Sequence, residues 1–204
     1  MYRKAYFSCL GTRVHGGKTS EGFIIYVDVE KCLGCLSCYF ACAVEHSLTK
    51  NPYTAFREVP KPLPRTRVIP VQKYNVPMRC MHCEKPPCVD VCPTEALIKT
   101  PEGPVLLQEP LCIGCKGCIL ACPYGAISLD LARKIIVKCD LCADRIRKGL
   151  LPACVEACPT KALSYGKVED VLLERRKAKA EEIIRGVTGF VSSSIIMYST
   201  TSHG

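Results

Sequence analysis

Sixteen of the seventeen cysteines in this 204-residue chain fall into four quartets. The first is Cys32, Cys35, Cys38 and Cys42, and the second Cys80, Cys83, Cys88 and Cys92. The third is Cys112, Cys115, Cys118 and Cys122, and the fourth Cys139, Cys142, Cys154 and Cys158. Thiolates two residues apart on a tight loop reach several corners of one metal cluster, and the last corner needs a remote cysteine. The third quartet reads C-x2-C-x2-C-x3-C-P, the ferredoxin run whose last cysteine serves the other cluster of a pair. Gly34 and Gly114 let two of the loops fold tightly. Proline follows Cys92, Cys122 and Cys158 and fixes the backbone where the chain leaves a cluster, whereas Ala43 follows Cys42. C-x2-C pairs also suit zinc, and dense cysteine suits disulfide scaffolds. Zinc sites rarely use C-x2-C-x2-C-x3-C, and disulfide scaffolds are usually short secreted chains. Four [4Fe–4S] clusters are therefore expected.

The elements that position these cysteines are short. Phe23–Val29, Val105–Leu107 and Ile135–Val137 read as strands entering quartets, and Ala96–Ile98, Ala126–Leu129 and Ala162–Tyr165 as strands leaving them. Six prolines between Pro52 and Pro77 mark a connector with one strand at Thr66–Val71. Val168–Arg185 favours helix, with Gly186 or Gly189 as its end. Phe190–Tyr198 reads as an extended strand that packs on its own domain or adds to a partner.

The formal charge is +9. Four thiolate-bound clusters would contribute roughly −8, so the excess Lys and Arg reads as counter-charge rather than a nucleic-acid footprint. Neither a signal peptide nor an apolar run of spanning length is visible, which predicts a cytoplasmic protein without a membrane span.

The four-quartet order resembles the beta-type electron-transfer subunits of the dimethyl-sulfoxide reductase and formate dehydrogenase group. It is equally similar to the small iron–sulfur subunits serving carbon monoxide dehydrogenase, hydrogenases and tungsten aldehyde oxidoreductases. The most telling feature is Cys139-x2-Cys142, eleven residues, then Cys154-x3-Cys158-Pro159. The resemblance implies nested pairing, first quartet with fourth and second with third. Spacing alone also allows the third and fourth to pair. Carried over, one cluster takes Cys32, Cys35, Cys38 and Cys158, and another Cys42, Cys139, Cys142 and Cys154. A third takes Cys80, Cys83, Cys88 and Cys122, and the fourth Cys92, Cys112, Cys115 and Cys118.

The expected architecture is an α+β fold of two ferredoxin-like lobes held by four clusters, with little regular secondary structure and a C-terminal helix and tail. Residues 1–22 form an N-terminal extension. Residues 23–47 with 133–166 form a discontinuous first lobe, 48–75 a Pro-rich connector, 76–132 the second lobe, and 167–204 the helix and partner-docking tail. The resemblance implies a one-electron relay between a second electron carrier and a catalytic subunit of the molybdenum- or tungsten-pterin, carbon monoxide dehydrogenase or hydrogenase type. A free-standing polyferredoxin is the alternative. No residue offers a convincing nucleophile or acid–base pair, so catalysis is expected on another chain.

Other candidates carry less. Cys9 reads as a free thiol. His82 either donates to a cluster sulfur or is a partly exposed loop residue, and His15, His46 and His203 read as isolated. Gly16-Gly17-Lys18-Thr19 is similar to part of a phosphate loop, but Thr12 stands where its leading glycine belongs. The run from Glu174 to Lys179 reads as a solvated helix face, with an acidic partner as the alternative.

Overall fold

Eight short strands pair two by two across the residues described by the computed structural model, 23–189. Cys9, His15, Gly16–Thr19, His203 and the expected strand at Phe190–Tyr198 lie outside the described residues. β1 (Phe23–Val27) pairs antiparallel with β8 (Leu163–Lys167), placing Ile25 opposite Tyr165 and joining the two ends of the described chain. Phe23 stacks on Tyr165 with ring centroids 5.4 Å apart. β2 (Arg67–Val71) pairs with β3 (Tyr74–Met78), β4 (Leu97–Lys99) with β5 (Val105–Leu107), and β6 (Ile127–Asp130) with β7 (Ile135–Lys138). The strands foreseen from β-branched runs appear within two residues of their expected ends.

The β2–β3 hairpin corrects the reading of the connector. A second strand follows the expected one, with Pro77 opposite Val68 and Pro70 opposite Asn75. Each strand of a two-stranded ribbon keeps one free edge, where a missing N–H costs nothing. Gln72 takes a positive φ at the turn.

Five short helices lie in or beside the quartets: α1 (Ser37–Glu45), α2 (Pro87–Asp90), α3 (Gly117–Ala121), α4 (Ala143–Arg147), which Cys142 precedes, and α5 (Ala153–Glu156). The last helix, α6, runs Val168–Gly189 and continues through Gly186. Val171 is buried beside the β1–β8 pair, and Arg175 lies 4.6 Å over the Tyr26 ring. Leu172, Leu173, Ile183 and Ile184 on the same helix are exposed.

The interior divides into two cores, each part cysteine. One gathers Ile25, Cys38, Leu141, Cys154, Cys158 and Leu163, from opposite ends of the described chain. The other gathers Cys88, Leu97, Val105, Cys118, Ile127 and Ile136. Mixed short helices and small open sheets thus surround cysteine-rich centres.

Candidate metal centres

Each C-x2-C loop turns by the same device. The residue just before its second cysteine has positive φ in all four quartets: Gly34, His82, Gly114 and Leu141. This conformation swings the second thiol back toward the first. Glycine takes it without penalty, while a side chain costs about 1–2 kcal/mol. At Gly114 crowding adds to this, because a Cβ would collide with the Lys134 carbonyl. At Gly34 a Cβ would come within 2.8 Å of the Asn75 side chain. In the first and third quartets a second left-handed residue, Leu36 and Lys116, starts α1 and α3. Those helices carry Cys38 and Cys118 inward, where both are buried. After Cys92, Cys122 and Cys158 the chain turns at Glu95, Gly125 and Lys161, again with positive φ. Cys42 lacks the following proline, and α1 continues past it to Glu45.

All sixteen quartet cysteines are free thiols. Burial pushes Cys38 up to about 11, and the neighbouring thiols of Cys32, Cys158 and Cys35 push the same way. Cys118 is likewise raised to about 11 by burial and by Cys115, Cys112 and Cys88. Cys88 is raised by burial, with Cys80 and Cys122 adding to it. Cys139 rises to about 12 and Cys154 to about 11 for the same first reason, and Cys142, beside both, also rises. Thiols buried this close together repel one another as thiolates, and a cationic iron core relieves that repulsion.

Backbone donors already point at sulfur. The N–H of Arg65 lies 3.2 Å from Cys42 Sγ, that of Leu141 3.4 Å from Cys139 Sγ, and that of Ala126 3.5 Å from Cys122 Sγ. One pocket is lined by Cys80, Cys83, Cys88 and Cys122 with Val105 and Ile127. Four thiols around one pocket, with amides aimed at sulfur there and in other quartets, fit the thiolate ligation of an iron–sulfur cubane.

Two histidines take up defined contacts near the quartets. His46 is isolated in the sequence but not in space. Its Nε2 donates to Asp140 Oδ1 at 3.2 Å and its Nδ1 to the Cys42 carbonyl at 2.8 Å. Burial lowers its pKa, but Asp140 and Cys42 outweigh this and raise it to about 9. Arg65 Nη1 reaches Asp140 Oδ2 at 2.6 Å. Although burial opposes it, His46 and Arg65 hold that carboxyl well below the usual range. His46, Asp140 and Cys142 bring ligand atoms within 4.8 Å of one another. Both His46 nitrogens are engaged, however, and Cys142 belongs to a quartet.

His82 sits on a loop and is half-buried. Its Nδ1 accepts the Val105 N–H at 3.0 Å, which leaves the proton on Nε2, a buried atom without a hydrogen-bond partner. Burial and Lys138 push its pKa down to about 3, so the ring is neutral. Its left-handed backbone was not legible, because the glycine that marks such a turn elsewhere is missing here.

The loops, the buried thiols and the amides aimed at sulfur define an iron–sulfur electron carrier. The 4Fe-4S dicluster domain family matches residues 71–168. An iron–sulfur protein of Rhodospirillum rubrum is 39% identical, covering 81% of this chain and 93% of the relative. The B subunit of sulfite dehydrogenase from Allochromatium vinosum is 39% identical over 72% of this chain and 69% of the relative. The B subunit of anaerobic dimethyl sulfoxide reductase from Escherichia coli is 36% identical over 75% and 76%. The chain belongs to this family of [4Fe–4S] proteins, as a beta-type iron–sulfur electron-transfer subunit. Among the described residues no helix is long and apolar enough to cross a membrane.

Proposed function

We propose that this chain holds four [4Fe–4S] clusters and relays single electrons between the catalytic subunit of an oxidoreductase complex and a second carrier. The ligand sets are nested. Cys32, Cys35 and Cys38 act with Cys158, and Cys139, Cys142 and Cys154 with Cys42. Cys80, Cys83 and Cys88 act with Cys122, and Cys112, Cys115 and Cys118 with Cys92. The observation that carries this reading is the convergence of Cys80, Cys83, Cys88 and Cys122 around one pocket, a set drawn from two quartets. The grouping of Cys38, Cys154 and Cys158 in one core and of Cys88 and Cys118 in the other also supports it. Two ferredoxin-like lobes, the first built from 23–47 with 133–166, are the matching architecture.

The clusters supply reversible one-electron storage. The protein's own residues hold the thiolates, exclude water with Ile25, Leu97, Val105 and Leu163, and set charge around each site. Catalysis falls to the partner subunit, as the names of the reductase and dehydrogenase relatives suggest. We place the complex in the cytoplasm, with the exposed apolar residues of α6 as a docking surface for a partner. Anaerobic purification followed by iron and sulfide analysis tests the cluster count. About sixteen of each per chain are expected; about eight irons in a fully loaded sample would exclude it.

A further inference from the structure

Two buried cations tie the cores together reciprocally. Arg79 immediately precedes Cys80, a second-quartet cysteine, yet its guanidinium donates to the Ile25 carbonyl in the first core. Lys138 immediately precedes Cys139 of the fourth quartet, yet its ammonium donates to the Val105 carbonyl in the second core. Lys138 also donates to the Cys139 carbonyl at 2.6 Å. Arg79 is 4% exposed and Lys138 3%. Among the described residues neither charge bonds to a carboxylate; both bond to carbonyl oxygens. Burying a cation without an anion costs several kcal/mol, so a compensating negative charge is required nearby.

The groups facing these cations are quartet cysteines, which are thiolates when they hold a cluster. Arg79 feels Cys154, Cys139, Cys38 and Cys80, and Lys138 acts on Cys139 and Cys88. Two sets meet both cations, the one containing Cys139 and Cys154 and the one containing Cys80 and Cys88. The corresponding residues of the other quartets differ. Lys31 is solvent-exposed and paired with Asp28, and Leu111 carries no charge.

We infer that Arg79 and Lys138 are electrostatic positioning residues that raise the reduction potentials of the two centres at the junction between the cores, making these the inner pair of the relay. Adding one electron to either centre adds one negative charge, with no proton taken up. A fixed cation nearby stabilises the reduced form more than the oxidised one. The inference rests on the four-cluster reading, which iron analysis of the same samples tests separately.

The test is a redox titration of R79Q and K138Q, followed by electron paramagnetic resonance, with iron content measured first. In each fully loaded variant the two inner signals should lose about tenfold in reduced-to-oxidised ratio at fixed ambient potential. That is a downward shift of about 59 mV for a one-electron couple. R79K and K138R should restore most of it, which a purely structural role would not predict. Unmoved inner signals, or equal shifts in all four, would overturn the inference. Should neither variant load iron, the wild-type protein decides it. Signals assigned through C83S and C142S must then titrate above those assigned through C35S and C115S, and the reverse order refutes the inference.

Discussion

The thiol of Cys158 lies beside that of Cys38 in one buried core, although the two stand near opposite ends of the described chain. The antiparallel pairing of β1 with β8 brings them together, setting Val27 opposite Leu163 a few residues before Cys32 and after Cys158. A bond from the Asp28 N–H to the Ala162 carbonyl at 2.8 Å extends the pairing toward both cysteines.

Nested pairing gives the first prediction. C158S should perturb the same magnetic signal as C35S and leave the signal altered by C115S unchanged, since a changed ligand acts first on its own cluster. Spectroelectrochemical titration of the three variants compares them. A shared signal for C158S and C115S would instead pair the third and fourth quartets.

Removing the metal should unfold the protein. Isolated two-stranded sheets are marginal in water, and so are helices of four to nine residues. Much of each core is cysteine, so metal binding is also folding free energy. Chelation under reducing conditions should abolish most of the circular dichroism outside α6 and open the chain to protease. A compact, resistant apo-protein would show that apolar packing suffices.

Two glycines with similar backbones should respond differently to alanine. Gly114 and Gly125 have φ of +65° and +56°, but only at Gly114 would a Cβ meet another segment, the Lys134 carbonyl. G125A should cost about 1 kcal/mol through conformational strain alone. G114A should cost more than about 3 kcal/mol and reduce iron loading, as crowding against backbone adds to the strain. Denaturant midpoints and iron content of the two purified variants provide the comparison.

The Asp130 carboxylate closes the β6–β7 turn. It accepts the Ala132 and Arg133 amides at 2.9 and 3.1 Å and Arg133 Nε at 2.8 Å. The Arg133 bond holds its pKa below the ordinary value. A depressed folded pKa gives stability that is present above the unfolded value, about 3.9, and is lost as pH falls through the folded one. D130N should therefore cost about 1 kcal/mol at pH 7, discounted for the half-exposed Arg133. Urea unfolding should show that deficit unchanged to pH 5 and shrinking only below about 4.

The amino-acid sequence determined the cysteine chemistry, because ligand spacing in a tight loop is a local property. C-x2-C-x2-C brings three thiols together whatever the rest of the chain does. Short β-branched runs such as Val105–Leu107 and Ile135–Lys138 were legible for the same reason. The tertiary structure decided the features that depend on residues far apart. It brought His46 to Asp140 and set Arg79 and Lys138 each against a carbonyl of the other core. It also placed His82 and Leu141 in the conformation that glycine marked at only two of the four loops. None of these has a local signal, since each arises when burial removes water from polar groups and leaves them only one another, or the thiolates, as partners.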